Sequence, residues 1–155
     1  MSFRITGLPV EKFEHLFALT DAQLLEHQAV RCFADSSPGF PCRIGLRDAD
    51  IGEELILLNY QHQTAPTPYQ ASHAIYVGKK SRQSWAGIDA IPLQMQSRTL
   101  SLRAFSRAHF VVDAALSDAD SLATDIRTLM AMPDTSYIHA HFAKFGCFAA
   151  RIDRA

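Results

Sequence analysis

Two alternating segments and a turn make up Tyr137-Ile-His-Ala-His-Phe-Ala-Lys-Phe-Gly-Cys-Phe-Ala-Ala-Arg-Ile152, the stretch that decides the fold. Successive side chains of a strand point to opposite faces, so apolar and chemically reactive side chains alternate between two surfaces here. Gly146 is suited to the left-handed position of a three-residue hairpin loop. The stretch therefore predicts an antiparallel β-hairpin at the end of the chain.

The predicted register follows from keeping every large apolar side chain on one face. A loop of Lys144, Phe145 and Gly146 pairs Phe142 with Phe148 and His139 with Arg151, and register is strongly specified when one face is buried. A shared polar surface is then expected for Tyr137, His139, His141, Cys147, Arg151 and Asp153.

The rest of the chain predicts an α+β fold: a mainly antiparallel curved sheet, two short N-terminal helices, one late helix and the C-terminal hairpin. The N-terminal helices are indicated by an apolar stripe after Pro9 and by a capping box at Thr20 and Gln23. Ser117 is expected to cap the late helix. A continuously apolar run within Glu54 to Gln61 predicts a central strand with both faces buried. Further strands are predicted over residues 3–6, 30–33, 75–77, 100–105 and 109–112.

Composition limits the classes of protein that fit. The chain has 155 residues, 48% of them hydrophobic, which suits one well-filled core and predicts a single domain over residues 1–155. Fifteen basic and sixteen acidic side chains give a net charge of −1, which argues against nucleic acid and anionic membranes as partners. The lack of a signal pattern and three cysteines without paired spacing predict a cytoplasmic protein. Oligomeric state is left open.

The pair His139 and His141 is the sharpest chemical signal. Histidines two apart on a strand project in parallel and can act as acid/base groups or bind one divalent metal ion through neutral imidazoles. A metal site needs another ligand, for which the candidates are Cys147, His62, His73 and Cys42. The alternative is a structural pair, hydrogen-bonded to neighbours such as Asp153.

Cysteine and arginine side chains supply the other candidate chemistry. Cys147, with His141 and Arg151 expected nearby, and Cys42 in its loop are candidate nucleophiles, because an adjacent cation favours the thiolate. The alternative is that each thiol is a buried small hydrophobe. Arg43, Arg103 and Arg151 would form an anion pocket if they converge, and otherwise pair with nearby carboxylates.

A family resemblance rests on five segments: Pro38-Gly-Phe-Pro-Cys-Arg43, Pro68-Tyr69, Leu102-Arg-Ala-Phe105, Tyr137-Ile-His-Ala-His141 and Gly146-Cys-Phe-Ala-Ala-Arg151. With these, the chain resembles a family of short, mainly bacterial proteins known as domain of unknown function 1203. The resemblance spans nearly the whole chain and implies no activity, substrate or cofactor.

The function expected from the residues is binding or processing of a small anionic molecule at a pocket on the C-terminal hairpin. The alternative is a non-catalytic partner-binding module that uses this surface or the segment around Trp85 and leaves the histidines structural. A deep pocket favours the first reading and a flat apolar patch the second. The expected ligand-binding residues are Arg43, His62, Arg103, Tyr137 and Arg151.

Overall fold

Eleven strands form two sheets in the computed structural model, which describes residues 1–155. The strands are β1 (Phe3–Thr6), β2 (Ala29–Phe33), β3 (Pro41–Cys42), β4 (Arg47–Asp48), β5 (Glu54–Gln63), β6 (Ala71–Gly78), β7 (Ala86–Ile88), β8 (Leu100–Phe105), β9 (Val111–Ser117), β10 (Tyr137–Phe142) and β11 (Phe148–Arg154). The helices are α1 (Asp21–Glu26), α2 (Leu93–Gln96) and α3 (Leu122–Ala131), preceded by 3-10 turns at Val10–Lys12 and Glu14–Ala18.

The two sheets differ in their connections. The larger sheet has the order β7-β1-β11-β10-β8-β9 and is antiparallel throughout. The smaller sheet has the order β2-β5-β6-β3-β4, and its only parallel pair is β3 with β6. The predicted α+β class is confirmed, with two sheets in place of one curved sheet.

The helical segments follow the sequence signals in part. Thr20 and Gln23 form the predicted capping box, in which each side chain accepts from the other residue's backbone N–H, and α1 follows. The segment after Pro9 is helical as predicted, and it forms two 3-10 helices instead of one α-helix. Ser117 ends β9 instead of capping α3, and its hydroxyl donates to the Asp125 carboxylate. None of the helices is both long and apolar enough to cross a membrane.

Two apolar clusters lie on opposite faces of the hairpin. The larger cluster packs the buried side of α3, including Leu122, Ile126 and Met130, against the larger sheet. The second cluster joins the smaller sheet, the N-terminal segment and Phe148. All six residues of β10 are buried, so this strand has no face open to solvent.

The hairpin forms with a different register near its loop. Ile138 pairs with Ile152 and His139 with Arg151, as predicted, but the register shifts after Ala140. His141 pairs with Phe148, while the Phe142 N–H donates to the Cys147 carbonyl. The predicted pairing of Phe142 with Phe148 is therefore wrong.

The physical cause is a bulge at Ala149. This extra residue in β11 lets Ala149 and Ala150 both join the larger cluster, and it reverses the faces of the residues before it. Phe148 thereby joins the face of His141, and Cys147 moves to the face of Phe142. Gly146 has φ +78°, the left-handed conformation that the sequence predicted.

Strand β5 lies inside the smaller sheet, between β2 and β6, as its apolar run predicted. Leu55, Ile56 and Leu58 are buried, but Leu57 is only half-buried. The expectation that both faces of this run are fully buried is thus wrong at Leu57, because that face borders an open cleft.

Ile56 and Leu57 give a matched pair for testing this burial. We expect Ile56→Ala to lower the free energy of unfolding by about 2 to 5 kcal/mol, since it opens a cavity in the second cluster. Leu57→Ala should cost less, about 1 kcal/mol, because part of that side chain already contacts water. Urea denaturation measures both, and equal losses would contradict the assigned burial.

Candidate functional site

Three histidines from two sheets meet beside the hairpin. His139 and His141 project from β10, and His62 projects from β5 of the smaller sheet. One ring nitrogen of each lies within 4.8 Å of one ring nitrogen of each of the others. Of the four further ligands that the sequence proposed for the His139/His141 pair, the structure brings His62 to it and does not include Cys42, His73 or Cys147 in the group.

Aromatic rings hold this three-histidine cluster in place. The Phe148 ring stacks on His62 with 5.4 Å between centroids and 6° between planes. His139 lies edge-on to Phe148 and tilted against Phe105 and Tyr137, each at 5.1 Å. The His139 side chain is therefore fixed by packing on several sides, and His141 lies edge-on to Phe148 at 5.9 Å.

Hydrogen bonding within the cluster is incomplete. His141 Nδ1 lies 3.0 Å from the Gly146 carbonyl oxygen, and since a carbonyl only accepts, Nδ1 carries the proton and Nε2 the lone pair. His141 Nε2, His62 Nδ1 and His139 Nδ1 are buried and have no hydrogen-bond partner. Asp153, the partner proposed for a structural histidine pair, is instead engaged by the Arg151 guanidinium.

Burial and neighbouring cations keep the imidazoles neutral. Burial is the main cause that lowers the pKa of His62 to about 4 and the pKa values of His139 and His141 to about 3. Arg103 lowers all three pKa values further, Arg151 lowers that of His139, and His73 lowers those of His62 and His141. Neutral imidazoles with free lone pairs are the form that binds metal ions.

The opposite face of the hairpin borders a cleft of about 580 Å³. Its walls come from the segment before β4, from β5 and β6, from the residues before β8, and from the hairpin loop. Its charged and titratable lining side chains are Arg43, His73, Tyr76, Arg98, Lys144 and Cys147, with no carboxylate among the lining residues.

Arg43 is the buried centre of this cleft. Its side chain is 1% exposed, and its guanidinium donates to the backbone carbonyls of Pro41 and Phe148 and, at 3.0 Å, to Cys147 Sγ. It also lies 4.8 Å from the centre of the Phe142 ring. No carboxylate lies within ion-pair distance, and burial lowers the pKa of Arg43 to about 10, so it stays charged at neutral pH.

The other cations of the cleft are arranged differently. Arg98 also stacks on Phe142, at 5.1 Å, and forms a two-bond ion pair with Asp48 at 2.9 and 2.5 Å. Lys144, at the exposed hairpin loop, has no acidic partner. Arg98 and Lys144 were not among the residues expected from the sequence, which gave no sign that the segment before β8 folds onto the hairpin loop.

The structure separates residues that the sequence placed together. Cys147 contacts Arg43 and lies on the face opposite His141 and Arg151, which corrects the predicted shared surface. Arg103 and Arg151 sit on the two strands that flank His139, so the three predicted arginines do not form one pocket.

Two other predicted site residues have their polar atoms engaged. The Cys42 sulfur is fully buried, where it accepts from the Gly78 N–H and lies 3.2 Å from the Ser81 hydroxyl. The Tyr137 hydroxyl accepts from Gln63 Nε2 at 2.8 Å and bonds His109 Nδ1 at 2.9 Å. Tyr137 thus links the two sheets.

A comparison with protein-family models confirms the family resemblance predicted from the sequence. The chain belongs to the family described as Protein of unknown function (DUF1203). That family's model matches residues 39–154, a range that contains both the three-histidine cluster and the cleft. No curated protein and no solved structure matches the chain.

The lowered histidine pKa values predict a loss of stability in mild acid. The unfolded chain binds protons near the ordinary histidine pKa of 6.5, whereas the folded cluster does so only near 4 and 3. Between those values the unfolded state holds more protons, so the free energy of unfolding should fall as the pH drops below 6.5. The expected loss is about 1 kcal/mol per histidine between pH 6.5 and 5.5.

Urea denaturation in the presence of a chelator measures this loss. His139→Phe, which keeps an aromatic ring among Phe105, Tyr137 and Phe148, should reduce the loss by one histidine's share. The exposed His15→Ala is the control and should leave it unchanged. If the free energy of unfolding fell equally with pH in the parent and in both variants, the assignment of a buried neutral cluster would be contradicted.

Proposed function

We propose that the protein binds a small anionic molecule in the cleft between the smaller sheet and the hairpin loop. Arg43 holds the anion from the floor, Lys144 attracts it from the side, and Cys147 lies against it. A cleft of about 580 Å³ has the size of an ordinary small-molecule site.

The observation that carries the proposal is the uncompensated charge of Arg43. Burying a guanidinium without an anionic partner is costly, because it loses its hydration and gains only neutral acceptors. Three of its five N–H donors are used, by two carbonyls and one sulfur, which leaves two for a ligand. An anion in the cleft would balance the charge and take up these donors with two parallel hydrogen bonds.

Cys147 is the residue that gives this cleft a capacity for chemistry. Its sulfur is 3.0 Å from the Arg43 guanidinium, so a bound anion would lie beside a side chain that can act as a nucleophile. All three cysteines are free thiols. We therefore also propose that the protein works in a reducing bacterial cytoplasm, where such a thiol remains reduced.

Titration calorimetry with inorganic phosphate and with succinate tests the anion site. We expect one binding site whose affinity falls with added salt. Lys144→Gln should weaken binding about threefold by removing an exposed charge, and Arg43→Lys about tenfold by removing the planar fork. Bound phosphate should slow iodoacetamide modification of Cys147, but not of Cys32 on β2, as peptide mapping can measure.

Lys12→Gln is the matched control, since Lys12 is an exposed lysine without an ion pair and outside the cleft. Lys144→Gln keeps the test valid if Arg43→Lys fails to fold. Absence of binding by either anion, or equal affinity in Lys144→Gln and Lys12→Gln, would overturn the proposal. The partner-binding module would then be the better account of this surface.

A further inference from the structure

We propose that His62, His139 and His141 form a binding site for one divalent transition-metal ion of the zinc type, with one coordination position left open. This site is separate from the anion cleft and lies on the other face of the hairpin. Imidazole nitrogens are suitable ligands for zinc, copper, iron and nickel ions. Three histidines with an open fourth position are a known arrangement for a zinc ion that carries a water or a small ligand.

The first support is a concentration of unpartnered polar atoms. Only five buried side-chain nitrogen or oxygen atoms of the protein lack a hydrogen-bond partner, and three of them are His62 Nδ1, His139 Nδ1 and His141 Nε2. Buried polar atoms in folded proteins are otherwise almost always satisfied. One ion bound through these three nitrogens would remove this part of the deficit, whereas a single local hydrogen bond would satisfy only one of them.

The second support is the distance between the candidate ligand atoms. One ring nitrogen of each histidine lies within 4.8 Å of one ring nitrogen of each of the other two. Nitrogen ligands about 2.1 Å from a tetrahedral zinc ion are about 3.4 Å apart, so small side-chain rotations close the site. His62 comes from the smaller sheet and is partly exposed, so one edge of the cluster lies near the protein surface.

The third support is the hydrogen bond that orients His141. Metal-bound histidines usually donate their other ring N–H to a carbonyl or carboxylate, which fixes the tautomer and raises the basicity of the ligand nitrogen. The His141 Nδ1–H does so toward Gly146 at 3.0 Å. The second ligand ring, His62, is held by packing instead of a hydrogen bond, because the Phe148 ring stacks on it.

The charges around the site specify what the open position would take. Three neutral imidazoles leave the full charge of the ion uncompensated, and no carboxylate is part of the cluster. Arg151 is already paired with Asp153, whereas the Arg103 guanidinium donates only to the Ser101 hydroxyl. The fourth ligand is therefore a water or a small anion that Arg103 can also bind.

The test uses the full chain, stripped with chelator and titrated with zinc chloride and with cobalt chloride. We expect one equivalent of each ion to bind, a rise in melting temperature with zinc, and visible cobalt absorption typical of four or five ligands. His62→Ala should weaken zinc binding by at least about tenfold, which is the minimum seen when even a supporting partner of a ligand is lost. Its partly exposed position makes this the variant that should still fold.

The matched control is His15→Ala, which removes an exposed imidazole distant in sequence from the cluster. This variant should bind zinc as the parent does. Equal zinc affinity in His62→Ala and the parent would overturn the proposal. So would a cobalt spectrum that remains that of the hexaaqua ion at saturating protein. Since the readouts are metal stoichiometry and spectra, a failed anion titration in the cleft does not change their interpretation.

Discussion

One extra residue in β11 determines how the two faces of the hairpin are used. Without the bulge at Ala149, strict alternation would place Cys147 beside the histidines and Phe148 in the larger cluster. With it, the Phe148 ring stacks on His62, and the Cys147 sulfur turns toward Arg43. The three-histidine cluster and the cleft are separate sites because of this single β-bulge.

The second constraint is that β10 is buried on both faces. Such strands are usually near-continuous apolar runs, yet β10 carries His139 and His141 at 4% and 1% exposure. The apolar face is satisfied by the larger cluster around α3, while the face with the histidines is closed by His62 and Phe148. Unpartnered imidazoles at these buried positions lower the stability of the fold, and such unfavourable placements are found mainly at functional sites.

The sequence predicted the parts of the fold that depend on local pattern. The capping box at Thr20, the strand Leu100–Phe105 and the hairpin with Gly146 in the left-handed conformation follow from turn chemistry and alternation within a few residues. The bulge at Ala149 could not be read in this way, because two small alanines fit either face equally well. The predicted burial of Leu57 is wrong for a related reason: an apolar run does not reveal that one of its faces borders a cleft.

The candidate sites show the same limit for contacts distant in sequence. His139 and His141 are marked by their spacing, but His62 joins them from another sheet, and only tertiary packing of β5 against the hairpin brings it there. Arg43 is a predicted anion-binding residue, but its contact with Cys147 spans 104 residues and cannot be read from spacing. Spacing identifies which side chains can cooperate within one element; convergence between elements is a property of the folded chain.

Phe148 connects the two sites physically. Its backbone carbonyl accepts from Arg43 Nε at 2.7 Å, while its ring stacks on His62. His73 adds an electrostatic connection, since it lines the cleft and is close enough to lower the pKa values of His62 and His141. A cation held by the histidines would therefore raise the positive potential of the cleft and favour an anion there. Because such coupling is reciprocal, an anion in the cleft would favour the cation to the same extent.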